Sequence, residues 1–435
     1  MTLRRLALPR ILALPLEDLA CAALFVFWAM QGAIPGIAPP QSHEMTGAAY
    51  TTLSTFGGIL SQAVADALLV FLVLRHPRLL LRRIAALPWA GLFALLAVAS
   101  TAWSLDPLLT LRRSLPFTLA GLFGLWFAAR FPAPRQFAIL RLAMVAVALA
   151  TIALVVCAPA LALDRSPGHA ADWQGIFTQK NACGRIMVLA SAVILFADRI
   201  TVKRLAALAL FLFVLVMSGS RGAWMVEAAI LLLWLLLLVA RRGGSRLRLI
   251  LGLAAPAFVA LCAAAVFLFP HLTRLLGRDA TLSGRTAIWA QVARFIAQRP
   301  LFGYGYDAFW RGMVGPSFQI DAAVHFIVEH AHNGFLEICL ELGAAGLALF
   351  LLSYAGAWRR LWPRWRSGNL APIAFPLAIL VLILLYDLDE NTLLIFNGIF
   401  WPLYVSALAT IASLAPQRVP VPVARRQPPA LQEVS

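Results

Sequence analysis

A chain of 435 residues that is 62% hydrophobic and 13% charged, with a mean hydropathy of +0.84, carries more apolar surface than a water-soluble globule can bury. That excludes a soluble enzyme and predicts an all-α integral membrane protein. The formal net charge of +17 comes from basic residues in short clusters between apolar runs, which fits membrane topology and argues against a nucleic-acid partner. The five cysteines all lie in or beside apolar segments without CxxC spacing, so they read as buried thiols rather than disulfides or metal ligands.

The opening stretch MTLRRLALPRILALPLEDLA has the arginines and leucines of a signal peptide, but Pro9, Pro15, Glu17 and Asp18 interrupt it, and it reads as a cytoplasmic lead-in. Apolar runs then predict about twelve spans, near residues 19–38, 56–74, 84–102, 111–129, 136–157, 183–197, 205–219, 222–240, 249–269, 335–357, 370–386 and 393–413. Clusters such as Arg75, Arg78, Arg82, Arg83 and Arg241, Arg242, Arg246, Arg248 fall on one side, and the positive-inside rule makes that side the cytoplasm. The chain thus divides into an N-terminal bundle of about nine spans (1–269), a large periplasmic loop (270–334), C-terminal transmembrane helices (335–413) and a Pro-rich cytoplasmic tail (414–435) that reads as disordered. In the loop, SGRTAIWAQVARFIAQRP sets Ile288, Trp289, Val292, Phe295 and Ile296 at helical spacing and predicts an amphipathic helix lying on the outer membrane surface.

Polar residues that look out of place all fall on the outer side. SGSRGAW joins two spans by so tight a turn that Arg221 sits at or near membrane depth, where it either snorkels or binds an anion. Arg285 opens a helix, an unfavourable place for a cation unless an anion binds there too. Together with Lys180, the two arginines suit a multiply charged phosphate. In EHAHNGFLE, His330 and His332 have the H-x-H form of a metal pair, but no third and fourth ligands follow at suitable spacing, and no metal is expected. His332 with Asn333 could cap the next span; beside Glu329 and Glu337 an imidazole could instead take a proton from an attacking hydroxyl.

The pieces TAWSLDP with LRRSL, GIFTQKNACG, SGSRGAW, SGRTAIWAQVARFIAQRPLFGYGYDAF, AHNGFLEICLELGAAGLALF and ENTLLIFNGIFWPLYV occur in an order that resembles the O-antigen ligase and polysaccharide polymerase superfamily of bacterial inner-membrane glycosyltransferases. Gln179 stands where exopolysaccharide polymerases of the group often carry histidine. The resemblance implies a metal-independent, cofactor-free transfer with inversion, from a polyprenyl (undecaprenyl) diphosphate-linked glycan to a growing glycan or a lipid A core, on the periplasmic face. It implies that Arg221 and Arg285 hold the diphosphate, that His332 polarises the acceptor hydroxyl and Asn333 orients it, and that Lys180 and Asn181 line the donor pocket. His330 and Glu337 are expected at its border, and membrane lipids surround an apolar groove for the polyprenyl tail. A twelve-span transporter or lipid-linked glycan flippase is the other reading; the single long, late, external loop speaks against the symmetric halves such proteins usually have.

Overall fold

The computed structural model describes residues 15–33, 52–164, 171–197, 201–254, 285–312 and 314–414. Among them regular structure is helical, apart from an isolated antiparallel bridge between Leu163 and Trp173. The expected Pro-rich tail, most of the lead-in and the first part of the long loop lie outside the described residues. In chain order the helices are α1 (Leu16–Ala29), α2 (Thr52–Leu74), α3 (Pro77–Arg83), α4 (Pro88–Ala99), α5 (Pro107–Arg130), α6 (Ala133–Cys157), α7 (Lys180–Leu195), α8 (Val202–Met217), α9 (Arg221–Arg242), α10 (Arg285–Gln298), α11 (Ser317–Val324), α12 (Gly334–Ser367), α13 (Ala374–Asp387) and α14 (Phe400–Ser413). Starts follow local chemistry. Proline opens α3, α4 and α5, where its missing N–H costs nothing, and the Asp106 carboxylate caps α5 by accepting from Leu109 N at 3.1 Å.

Among the described residues four stretches are long and apolar enough to cross a membrane: Phe56–Leu74, Ala133–Cys157, Arg221–Arg242 and Gly334–Ser367. A fifth results if the bent pair Pro77–Ala86 and Pro88–Ala102 counts as one span. The protein is a multi-pass membrane protein. The expected run 111–129 lies in the 24-residue α5, and other runs expected to span are shorter helices: α7 and α8 have 16 residues each, α1, α13 and α14 have 14. The run near 249–269 is described only to residue 254. The run from 393 differs most, since helix begins only at Phe400 and Asn391–Ile399 form a buried irregular segment.

Irregular backbone inside an apolar bundle must find its partners within the protein. Asn391 O accepts from Arg185 Nη1 at 3.1 Å, Leu394 O from the Tyr306 hydroxyl at 3.3 Å, and the Asp387 carboxylate takes Thr392 N at 2.8 Å and its hydroxyl at 2.7 Å. Close contact between α5 and α14 closes the bundle: Gly121 faces the Trp401 indole, whose N–H donates to Phe117 O at 2.8 Å, and Gly124 lies against the Pro402 carbonyl.

A second, smaller core caps the bundle. Ile288, Val292 and Phe295 of α10 are buried there with Tyr304, Phe309, Trp310, Ile320, Val328 and Leu340. The amphipathic stripe is therefore covered by protein, not by the membrane surface, because the aromatic loop that follows folds back over it. That loop is pinned to α12, whose helix breaks at Gly343 (φ +67°). The freed groups are taken up by strand-like exchange: Tyr304 N donates to Leu340 O at 2.9 Å, Gly305 N to Glu341 O at 2.9 Å, Ala344 N to Pro300 O at 2.8 Å and Ala345 N to Leu301 O at 3.1 Å.

Any side chain at Gly343 would overlap the Leu301 carbonyl and need a left-handed backbone, whereas a Cβ at Gly356 of the same helix would meet only Trp89, at 4.0 Å. Gly343→Ala is expected to destabilise by roughly 1–3 kcal/mol from backbone strain alone, with Gly356→Ala near wild type, as read by thermal unfolding in detergent. Equal melting of the two variants would remove the break from its anchoring role.

Candidate active site

The expected site residues come from four places in the chain. Asn333 caps α12 by accepting from Leu336 N at 3.0 Å, and its amide donates to Leu388 O at 3.1 Å, tying the histidine loop to the segment after α13. Just before it, His332 has a left-handed backbone (φ +47°), a strained conformation for a residue with a Cβ. The loop is held from below. Ala331 N donates to Glu337 Oε2 at 2.6 Å, Trp310 Nε1 donates to Glu337 Oε1 at 2.5 Å, and the Trp289 indole donates to Ala331 O at 2.9 Å. Glu337, expected at the pocket border, is fully buried with both oxygens engaged by this clamp.

Above the clamp a polar knot forms around Glu390. Its Oε1 accepts from Arg285 Nη2 at 2.8 Å, its Oε2 lies 3.3 Å from His332 Nδ1 and 3.6 Å from His330 Nε2, and Arg285 also pairs with Asp389. The two imidazole rings are 4.2 Å apart at their centres. Burial alone would push the Glu390 carboxyl up, but the hydrogen bond from His332 and the Arg285 guanidinium act against it and hold it well below the usual carboxylate range. Burial, with His332 and the arginines adding to it against the pull of Glu390, lowers His330 to about 3, so that ring is neutral at physiological pH.

Arg221 opens α9 beside this knot: a Cβ on the next residue, Gly222, would lie 3.1 Å from Asp389 Oδ2. The Arg221 side chain is exposed and has no hydrogen bond or ion pair among the described residues. The other expected donor-pocket residues sit at the start of α7. Lys180 Nζ pairs with Asp172 at 2.6 Å, and the Asn181 amide oxygen accepts from the Ser220 hydroxyl at 3.0 Å, next to Arg221. The structure thus brings Arg285, His330, His332 and Asn333 into one knot, with Arg221, Lys180 and Asn181 along its α7–α9 flank.

His330, His332 and Glu390 offer three metal-ligand atoms within 4.8 Å of one another, which chain spacing does not reveal. Two imidazoles and a carboxylate are an ordinary donor set, but here one ring is turned the wrong way for a ligand. His330 Nδ1 accepts from His332 N at 3.1 Å, so in a neutral ring the proton sits on Nε2 and no lone pair faces the cluster. Glu390 is the residue that motif reading passed over; its signal was the dense charge of YDLDEN between apolar runs. Arg185, one turn into α7, is the other: it is buried beneath the knot and bound to Asn391 O.

An exposed arginine thus lies beside a second arginine and a histidine that share one carboxylate. Residues 206–351 match the family model described as O-antigen ligase, and the relatives below agree with that likeness. The chain is 33% identical over 114 residues to the exopolysaccharide production protein ExoQ of Rhizobium meliloti (strain 1021), covering 24% of this chain and 26% of that one. It is 38% identical over 81 residues to "Putative polysaccharide ligase RP358" of Rickettsia prowazekii (strain Madrid E), covering 18% and 20%. A further relative, "Putative polysaccharide ligase" of Rickettsia bellii (strain RML369-C), is 43% identical over 70 residues, covering 15% and 17%. The matches span 17% to 26% of the length of these relatives.

Two donors face the two oxygens of Glu337, and an amide can satisfy only one of them. Glu337→Gln is therefore expected to cost about 1–3 kcal/mol, measured as a lower unfolding temperature by tryptophan fluorescence; an unchanged melting curve would show that the clamp carries no weight.

Proposed function

We propose that the protein is a glycosyltransferase of bacterial polysaccharide assembly that moves a glycan from a polyprenyl diphosphate, undecaprenyl diphosphate in bacteria, to an acceptor sugar hydroxyl. The observation that carries the reading is that Arg285 and His332 engage the same carboxylate, with Arg221 alongside. A group that steadies a leaving diphosphate and a group that takes a hydroxyl proton thereby face one place. The acceptor oxygen attacks the anomeric carbon as the bond to the diphosphate oxygen breaks on the opposite side, inverting the centre. The hydroxyl proton passes to His332, and the electron pair of the broken bond leaves on the diphosphate, where Arg221 and Arg285 stabilise it.

Arginine suits this task because its planar fork binds two phosphate oxygens at once and stays charged. No metal or other cofactor is required by this chemistry. Lys180 and Asn181 line the donor side, Asn333 orients the acceptor, and Glu337 and His330 support the loop. The acceptor is a growing glycan or a lipid A core, and ExoQ and the ligase-named relatives support either. The protein is read as lying in the inner membrane with twelve spans, the site on the periplasmic side, and lipids flanking a groove for the polyprenyl tail.

Purified protein is expected to transfer glycan from the lipid diphosphate in a strong chelator. His332→Ala should keep donor binding while turnover falls about a hundredfold or more; Arg285→Lys should weaken transfer because the fork is lost. Near wild-type turnover of intact His332→Ala removes that residue from the reaction, and restoration by a divalent ion after chelation refutes metal independence. For orientation, a reporter fused after Arg242 should read cytoplasm and one near Gly315 periplasm; both on one side would overturn the topology.

A further inference from the structure

Glu390 has two oxygens that face different partners. Oε1 accepts from Arg285 Nη2 at 2.8 Å and Oε2 faces His332 Nδ1 at 3.3 Å. An ionised carboxylate only accepts, so His332 Nδ1 carries a proton, and in the neutral ring Nε2 keeps the lone pair. His330 is fixed in the opposite sense: its Nδ1 accepts the backbone N–H of His332, which puts its proton on Nε2 and leaves it nothing with which to accept one. The two rings, 4.2 Å apart, thus have different roles set by one carboxylate and one backbone N–H.

Resting on the transfer reading above, we propose that Glu390 is the positioning carboxylate of the reaction: it locks His332 in the Nδ1–H form so that Nε2 is the atom that takes the acceptor's proton. His330 is a buttress and not a second base. Three features of the surroundings favour this assignment. The side chain of Glu390 is almost entirely enclosed while that of His332 is a quarter exposed, so the carboxylate lies inside and the ring reaches outward. The left-handed backbone at His332 holds the ring over Oε2. The chain carrying Glu390 is pinned on both sides, by Asn333 on Leu388 O and by Arg185 on Asn391 O, which keeps the carboxylate from turning. The remaining charged groups about the pair are Asp389, bound to Arg285, and Asp387, whose Oδ1 is engaged by Thr392.

The substitution Glu390→Gln separates this role from simple charge or packing. Arg285 has only donors, so the single amide oxygen turns to it and the NH2 group faces His332 Nδ1. The ring must then accept at Nδ1 and carry its proton on Nε2, which disables the base while shape and fold are kept. Histidine-selective 15N NMR of the full-length protein, with the His332 signals assigned by their loss in His332→Gln, reads the form directly and does not depend on activity. The wild type should show Nδ1–H and Glu390→Gln should show Nε2–H. Turnover should fall roughly a thousandfold or more, with donor KM within about threefold, and Glu390→Asp, which keeps two oxygens, should recover part of the rate. The proposal is overturned if wild-type His332 is Nε2–H, if Glu390→Gln turns over near the wild-type rate, or if it loses rate while His332 stays Nδ1–H. Should Glu390→Gln fail to fold, the wild-type spectrum and Glu390→Asp decide: Nε2–H in either sinks the assignment. If the wild type transfers no glycan from a polyprenyl diphosphate, the functional reading fails, while the spectra still decide the role of Glu390.

Discussion

The site depends on one constraint: backbone that leaves the helix within an apolar bundle must be hydrogen-bonded by the protein itself. Two stretches leave it, the break at Gly343 and the irregular segment after α13, and both lie under the histidine loop. The break lets the aromatic loop after α10 exchange hydrogen bonds with α12, which carries Arg285 and the capping core onto the helix that begins just after His332. The irregular segment carries Asp389 and Glu390 to the same place, and Arg185, Tyr306 and the Asp387 carboxylate take up its freed groups. Continuous helices there would have presented the same side chains on separate cylinders.

Charge follows a similar economy. At the end of the bundle holding the start of α1, Glu17 and Asp18 pair with Arg130 and Arg135 at 2.8 and 2.7 Å, joining α1 to the end of α5 and the start of α6. These pairs offset the N-terminal dipole of α1 and leave no strong cation unmatched between those helices. The outer knot is different. Arg285 is shared between two carboxylates, Glu390 among an arginine and two histidines, and Arg221 has no partner among the described residues. An arrangement built only for stability would pair the last arginine as well.

Much of the site was legible in the sequence because its residues are costly in an apolar chain and therefore conspicuous. Arg221, Arg285, His330, His332 and Asn333 stood out in that way, and the structure gathers all but Arg221 around one knot, with Arg221 at its edge. The bundle was legible as apolar runs, but its irregular part was not: ENTLLIFNGIF has the composition of a helix, and only partners remote in sequence, Tyr306 and Arg185, stabilise it otherwise. The α10 stripe showed a periodicity that says one face is covered without saying by what; the cover is the aromatic loop. Glu390 went unread because its partners lie about 60 and 105 residues away, a separation that no local spacing encodes. Arg185, inside the expected span at 183–197, went unread because its partner Asn391 O lies 206 residues away.

The same distance that hid Glu390 explains its value to the site. A carboxylate next in sequence to a histidine shares its backbone motions and cannot hold the ring against them. Glu390 stands on a different segment, tied through Leu388 O to the cap of α12 and through Asn391 O to α7, while the histidine loop is fixed through Ala331 to Glu337 and Trp289. The ring is then held from two stretches of chain instead of one, which is what a transfer between a lipid-borne donor and a free hydroxyl needs if the reacting groups are to be held in line. The left-handed backbone at His332 costs stability, and the buried carboxylate oxygens of Asp387 and Glu341 and the Tyr386 hydroxyl, which have no hydrogen-bond partner among the described residues, add to that cost. They lie on α12 and α13, the helices on either side of the knot, so part of the fold's strain sits where the chemistry is read to occur.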